Sequence, residues 1–316
     1  MADQSTVLVT GANGCIGSWV MKLALDHGHR VIGLDLAPAP TRPRLLLDDD
    51  QLASVTWLEA DLTNTDAVRK AVLDNGVNAV VHLGALQVPF CKANPVLGAQ
   101  VNVVGTANIM EAVRAAGIKR FSLASSIAAL GGGDPDNPWL GTLYGAYKSC
   151  NEEMAKVYWQ DWEVPSFILR PGVVYGVGRD QGMTSAPTKA MLAAVAGQAY
   201  TIPFGGDAAF LYAGEVAGAF LKAAESDLDG VHIFDLNGEC RPVQDVIDLI
   251  RKEIPDADIS MEGDQLPFPP DVSDAPLRAF LGDYGQTGLE AGVASTLEGF
   301  RRLKGNATLD LSQLER

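Results

Sequence analysis

The chain is predicted to fold as an α/β protein, with a doubly wound, Rossmann-like parallel sheet and a smaller C-terminal α/β substrate-binding part. Three observations carry that expectation. Short β-branched apolar runs alternate with longer amphipathic stretches through the first half; the first run ends in Gly11-Ala12-Asn13-Gly14-Cys15-Ile16-Gly17; and the second ends in the acidic Asp35.

Taken in order, the strands are expected at Thr6 to Thr10, Arg30 to Asp35, Val55 to Ala60, Ala79 to Leu83, Arg120 to Ala124 and Ser166 to Arg170. Helical periodicity lies between them, clearest from Pro95 to Ala116, where Val96, Ala99, Val103, Ala107 and Met110 recur three or four residues apart. Gly117 ends that helix. Composition changes after Gly178. The rest reads as a helix (Thr188 to Gly197), a Pro/Gly-rich connector, a helix (Gly214 to Ala224), a strand (Val231 to Leu236) and a helix opened by Pro242. The proline-rich stretch from Gln265 to Pro276 reads as a surface loop or lid. Residues 1–178 then form the dinucleotide-binding part, with 210–236 returning to it, and 179–316 the main substrate-binding part.

Composition narrows the function. The 316 residues carry 24 Lys+Arg against 39 Asp+Glu, a net charge of -15, with 47% hydrophobic residues. That is a globular composition with a sizeable core. The acidic balance speaks against nucleic acid or an anionic membrane as partner, because long-range repulsion opposes each encounter. Four scattered cysteines and four histidines form no disulfide or metal-ligand pattern, so no metal is expected. The first residues lack the regions of a signal peptide, and no run approaches the roughly 18 apolar residues of a membrane span, so the expected setting is the cytoplasm.

The glycine loop is the first chemical motif. Gly11 and Gly14 permit a tight turn with backbone close to a pyrophosphate, Gly17 lets the following helix pack on the strand, and the helix N-terminus favours negative charge. Asp35 stands 24 residues beyond Gly11. A carboxylate there can accept both ribose hydroxyls of an adenosine and repels a 2'-phosphate, which predicts NAD over NADP. Arg42 and Arg44, in the following loop, are the competing feature. Cys15 reads as a small apolar filler rather than a reactive thiolate.

The second motif is Tyr144 and Lys148, four residues apart and therefore on one helical face. An ammonium beside a phenol favours the phenolate, drawing its pKa toward the range of a general base. Ser125 and Ser126 follow the fifth strand, where a hydroxyl can orient a substrate oxygen. His82 reads as a core imidazole, and Tyr147 as packing.

With these pieces the chain resembles the extended short-chain dehydrogenase/reductase family, often called NAD-dependent epimerases/dehydratases. The resemblance covers about the first 225 residues: the glycine loop, Asp35, Asp61-Leu62, Val81-His82-Leu83-Gly84-Ala85, Val101-Asn102-Val103-Val104-Gly105-Thr106, Ser125-Ser126, Tyr144 with Lys148, Leu169-Arg170-Pro171 and Val174-Tyr175-Gly176. It implies that Tyr144 is the acid/base, that Lys148 lowers its pKa and holds the nicotinamide ribose, and that Ser126 is the hydroxyl partner. It further implies that Asp61 and Leu62 flank the adenine, that Pro171 and Val174 abut the nicotinamide, and that Asn13, Cys15, Ile16, Leu83, Gly84, Ala85 and Asn102 complete the cofactor site. Asp61 can equally be a helix cap. Dimerisation through the helices from Pro95 to Ala116 and Tyr144 to Gln160 is also implied.

Departures from the family pattern bear on the substrate. Ile127 and Ala128 follow Ser126 where the dehydratase branch has acidic residues, so dehydration is disfavoured. Nucleotide-sugar members carry an arginine that grips the diphosphate ahead of a Tyr-Val-x-Asp-Val segment; here Ala208-Ala209-Phe210-Leu211-Tyr212 supplies no cation. Gln87, Phe90, Arg179 and Thr184 are candidates for the substrate pocket, with Arg179 suited either to a substrate carboxylate or to a salt bridge with Asp180 or Glu215. The expectation is an NAD-dependent dehydrogenase or epimerase acting on a secondary alcohol of a small carbohydrate or sugar acid. A nucleotide-sugar 4-epimerase and a non-catalytic dinucleotide sensor are the alternatives.

Overall fold

The structure is a computed structural model that describes residues 4–37, 39–131, 141–182, 184–266 and 270–315. Met183 and part of the proline-rich stretch after Gln265 lie outside the described residues. β1 (Thr6–Thr10) enters the glycine loop and α1 (Cys15–Asp26), and β2 (Arg30–Asp35) returns beside β1. Asp48 and Gln51 form a reciprocal capping box on α2 (Asp49–Ser54), after which come β3 (Thr56–Glu59), α3 (Thr65–Leu73) and β4 (Ala79–His82). The expected helix from Pro95 is preceded by α4 (Val88–Ala93) and runs as α5 (Pro95–Ala99), a π-helical stretch at Gln100–Val104, and α6 (Gly105–Ala116). Gly117, at φ 64°, terminates it in the left-handed conformation. β5 (Arg120–Ala124), α7 (Leu143–Trp162), β6 (Ser166–Pro171) and β7 (Val173–Tyr175) follow.

The remainder comprises α8 (Ala186–Ala196), β8 (Tyr200–Ile202), β9 (Asp207–Tyr212), α9 (Ala213–Ala224), β10 (Val231–Leu236), β11 (Glu239–Pro242), α10 (Val243–Glu253), β12 (Ile259–Met261), α11 (Ala275–Leu281) and α12 (Leu289–Gly305). The main sheet has seven strands in the order β10-β6-β5-β4-β1-β2-β3. All its pairings are parallel, with Val231 opposite Ser166 at the added edge. Chain order reverses between β1 and β4, and the crevice at the carboxyl ends beside that reversal is where a parallel sheet receives a ligand. β7, β9 and β11 form a second, mixed sheet, and β8 pairs with β12.

Strand alternation divides the core. Val7, Val9, Phe167 and Leu169 face α1, α9 and the C-terminal side chains Val243, Ile247, Leu297 and Phe300 in one continuous cluster. Leu8, Ile32, Phe121 and Ile168 face α3, α6 and α7 in the other. The C-terminal elements therefore share the core of the first sheet. Among the described residues, no helix is long and apolar enough to cross a membrane.

Candidate active site

A cavity of about 520 Å³ opens at the carboxyl ends of β1, β2, β4, β5 and β6. At one end stands the glycine loop. Gly11 has φ 67°, and a Cβ on it would lie 2.8 Å from Gly84 N, while a Cβ on Gly17 would lie 2.2 Å from Gly11 O. Only glycine lets the loop, the helix and the β4 loop approach this closely. α1 begins at Gly14 with no side-chain cap and no acidic residue in its first turn, so its leading N–H groups face the cavity free to bind an anion.

Asp35 is fixed at the end of β2 by two backbone donors, Asn13 N and Leu36 N, each at 2.8 Å. Asn13 Nδ2 donates to Ala37 O, and its Oδ1 is buried without a partner among the described residues. Arg42 is already committed: it pairs with Asp180 at 2.7 Å and donates to Asn13 O at 2.9 Å. Arg44 is exposed. Asp61 does not cap a helix; its Oδ1 accepts from Thr63 N and Thr63 Oγ1, both at 2.8 Å, and α3 starts later under an Asn64 cap. Burial pushes the Cys15 thiol up to about 11, so the helix N-terminus does not produce a thiolate there.

At the other end Thr142 caps α7, its Oγ1 accepting from Gly145 N at 3.0 Å. A Cβ on Gly145 would lie 2.4 Å from Ala128 O, so glycine lets the start of α7 pack on the loop that carries Ser126. Tyr144, Lys148 and Ser126 consequently share one wall of the cavity. The Lys148 ammonium donates to Ala124 O and lies 5.6 Å from the centroid of the Tyr144 ring. Burial lowers its pKa to about 8. The Tyr144 phenol is raised above its ordinary value by burial, opposed by a hydrogen bond with Ser126 and by the charge of Arg179. The lowering expected from Lys148 does not appear: burial raises the phenol, Ser126 and Arg179 oppose the rise, and the ammonium donates to a backbone carbonyl.

Every cofactor residue expected from the sequence lines this cavity except Asn102. Asn102 sits in the π-helical stretch, buried, where its side chain accepts from Leu86 N at 2.7 Å and donates to Leu86 O at 2.9 Å. It clamps the β4 loop from behind rather than facing the cavity. His82 contacts Thr10 Oγ1 at 2.7 Å and Thr106 Oγ1 at 3.1 Å, and burial drives its pKa down to about 3, which makes it a neutral core imidazole. Tyr147 donates to Pro95 O and is packing.

Gln87, Arg179 and Thr184 gather on the remaining side. Arg179 Nη2 donates to Thr184 Oγ1 at 3.1 Å, and Arg179 pairs with no carboxylate among the described residues. Glu215 instead accepts from Thr287 N, with burial raising its pKa to about 7. Phe90 lines the cavity, 47% exposed. Among the described residues a small cavity of about 10 Å³ lies beside Ala208 and Ala209, room for roughly one water.

The sequence pattern of the NAD dependent epimerase/dehydratase family matches residues 7–236. The chain belongs to this family. Among its relatives, protein CapI of Staphylococcus aureus is 32% identical over 185 residues, 54% of this chain and 54% of CapI, so that likeness spans about half of either protein. The UDP-glucose 4-epimerase of Mycolicibacterium smegmatis is 28% identical over 68% of this chain and 72% of its own. The crystal structure of the Thermus thermophilus UDP-glucose 4-epimerase complexed with NAD superposes with a TM-score of 0.76 at 25% identity, covering 94% of this chain and 99% of the other.

As a member of the epimerase/dehydratase family the chain is an enzyme of the NAD-dependent epimerase or dehydrogenase type, and NAD is its cofactor. The residues present fit that group: the glycine cradle, the uncapped N-terminus of α1, the fixed carboxylate of Asp35 and the orphaned Oδ1 of Asn13 supply complementary donors and acceptors. Sequence reasoning passes over the support behind this site. Glu152, one helical turn beyond Lys148, receives Arg170 in a two-point ion pair at 2.8 and 2.6 Å, and accepts from Ser125. The i, i+4 spacing on α7 was the available signal.

A separate cluster lies at the amino ends of the strands. His27 and His29 both contact Glu225 Oε1, at 2.7 and 2.9 Å. His29 Nδ1 accepts from Ser5 N, which leaves its Nε2 as the donor to Glu225. A metal on that nitrogen would turn an N–H toward the Ser5 N–H, so the cluster is built for hydrogen bonding.

Proposed function

We propose that the enzyme oxidises a secondary alcohol of a small carbohydrate or sugar acid, then either releases the ketone or lactone or returns the hydride to its other face as an epimerase. The observation that carries this reading is the shared cavity wall of Ser126, Tyr144 and Lys148 opposite the glycine loop. Bound NAD supplies the hydride acceptor. Tyr144 exchanges a proton with the substrate oxygen, Ser126 orients that oxygen through its hydroxyl, and Lys148 holds the nicotinamide ribose. Asp35 takes the adenosine ribose hydroxyls, Asp61 and Leu62 flank the adenine, and Pro171 with Val174 abut the nicotinamide ring. Residues 1–178 with 210–236 serve the cofactor, and 179–316 mainly the substrate.

A nucleotide-sugar 4-epimerase is the second reading, favoured by the likeness to the Thermus thermophilus enzyme. Against it stand the buried, uncharged Ala208, Ala209 and Phe210, since a diphosphate held without a paired cation would cost several kcal/mol. We further propose a homodimer through α5, α6 and α7, whose Val96, Leu97 and Val157 are exposed. The four free cysteines suit a reducing, cytoplasmic setting.

Tyr144→Phe tests the proton role. Turnover on polyols and sugar acids screened by NADH formation is expected to fall ~100-fold or more, with NAD affinity nearly unchanged. Near-wild-type turnover would remove Tyr144 from the reaction.

A further inference from the structure

We infer that Arg179, Gln87 and Thr184 form an anion-receiving corner of the cavity, and that the substrate is an α-hydroxy acid whose carboxylate enters it. This rests on the alcohol oxidation proposed above and narrows its substrate. Among the described residues Arg179 Nε is buried with no hydrogen-bond partner, while Nη2 donates to Thr184 Oγ1 at 3.1 Å. Gln87 Oε1 is likewise buried without a partner among the described residues. Both groups stand around Gly182, at φ 94°: a Cβ there would lie 2.5 Å from Gln87 Oε1 and 3.2 Å from Arg179 Nη2. The corner is therefore kept open by the one residue without a side chain.

An unpaired donor on a cation next to an unpaired acceptor has a specific complement. A carboxylate accepts from the guanidinium edge, and a hydroxyl on the adjacent carbon donates to the Gln87 carbonyl. A neutral polyol would satisfy Gln87 and leave the buried charge of Arg179 without a counterion, which is the costly arrangement. Burial is the largest influence against the charge on Arg179, with Cys15, Tyr144 and Asp180 opposing it and Arg42 adding to it, so an anion brought into direct contact is favoured. The corner also adjoins the chemistry, because Arg179 lies close enough to lower the Tyr144 phenol. Arg42, the other arginine on this cavity, pairs with Asp180, and the Lys148 ammonium donates to Ala124 O.

The experiment is calorimetry on NAD-loaded protein with threonate and gluconate against threitol and glucitol, the same carbon chains without the carboxylate. The acids are expected to bind at least ~10-fold more tightly, the scale of one charge-assisted contact. Arg179→Met should erase that preference with NAD affinity within ~3-fold of wild type. Gln87→Glu, which puts a carboxylate in the corner, should weaken the acids and spare the alditols. Equal binding of acids and alditols would overturn the inference. So would an Arg179→Met protein that keeps the preference but loses NAD, since Arg179 would then serve the cofactor diphosphate. NADH formed from alditols as readily as from acids would remove the carboxylate requirement while leaving the proposed oxidation intact; tight acid binding without NADH formation would support the corner and count against the oxidation.

Discussion

Two partly buried arginines, Arg170 and Arg179, stand just after one another in the chain, and the fold treats them oppositely. Arg170, at the end of β6, is gripped at two points by Glu152, which is 5% exposed, and reaches Asp235 at 3.4 Å. Arg179, in the loop after β7, donates to the neutral hydroxyl of Thr184 and pairs with no carboxylate among the described residues. The first is a completed ion pair whose Glu152 also holds Ser125, so it stiffens the junction of α7 with the sheet behind Lys148. The second leaves charge unspent where a ligand enters. A satisfied buried cation belongs to the scaffold, and an unsatisfied one belongs to what the scaffold binds.

The comparison breaks most readily at Arg170. Arg170→Met leaves Glu152 buried without its counterion and is expected to cost about 3–5 kcal/mol of stability. Arg179→Met should change stability by less than about 1 kcal/mol, since no intramolecular pair is lost. Thermal or denaturant unfolding of the two variants reads this directly, and equal losses would erase the distinction.

Arg42 sharpens it with a smaller effect. Its pairing with Asp180 occupies the guanidinium that could otherwise grip a 2'-phosphate, while Asp35 stays aimed at the ribose. Fluorescence titration should give NAD at least ~10-fold tighter than NADP, about 1.4 kcal/mol, and Asp35→Ser should narrow that gap. Equal affinities in the wild type would mean that Arg42 outweighs the carboxylate.

What was legible in the sequence is what depends on local spacing. The glycine loop, Asp35 at a strand end and the i, i+4 pair of Tyr144 and Lys148 each fix geometry within one or two turns of chain, and all reach the cavity. The parallel strands were readable for the same reason, including Val231 to Leu236 at the edge of the sheet. Partners distant in sequence were not readable. Arg42 with Asp180 and Glu152 with Arg170 are brought together only by folding, and the π-helical stretch that turns Asn102 onto Leu86 looks like ordinary helix in a periodicity count. The direction of the Tyr144 shift failed similarly, because spacing reveals a neighbour but not the desolvation around it.

The proposed substrate carries no nucleotide, a reading supported by the buried, uncharged Ala208, Ala209 and Phe210 ahead of Tyr212. Calorimetry of NAD-loaded protein with UDP, GDP and TDP tests it most directly. Binding no tighter than about millimolar is expected for all three; micromolar binding of any one would contradict this and put the nucleotide-sugar epimerase first.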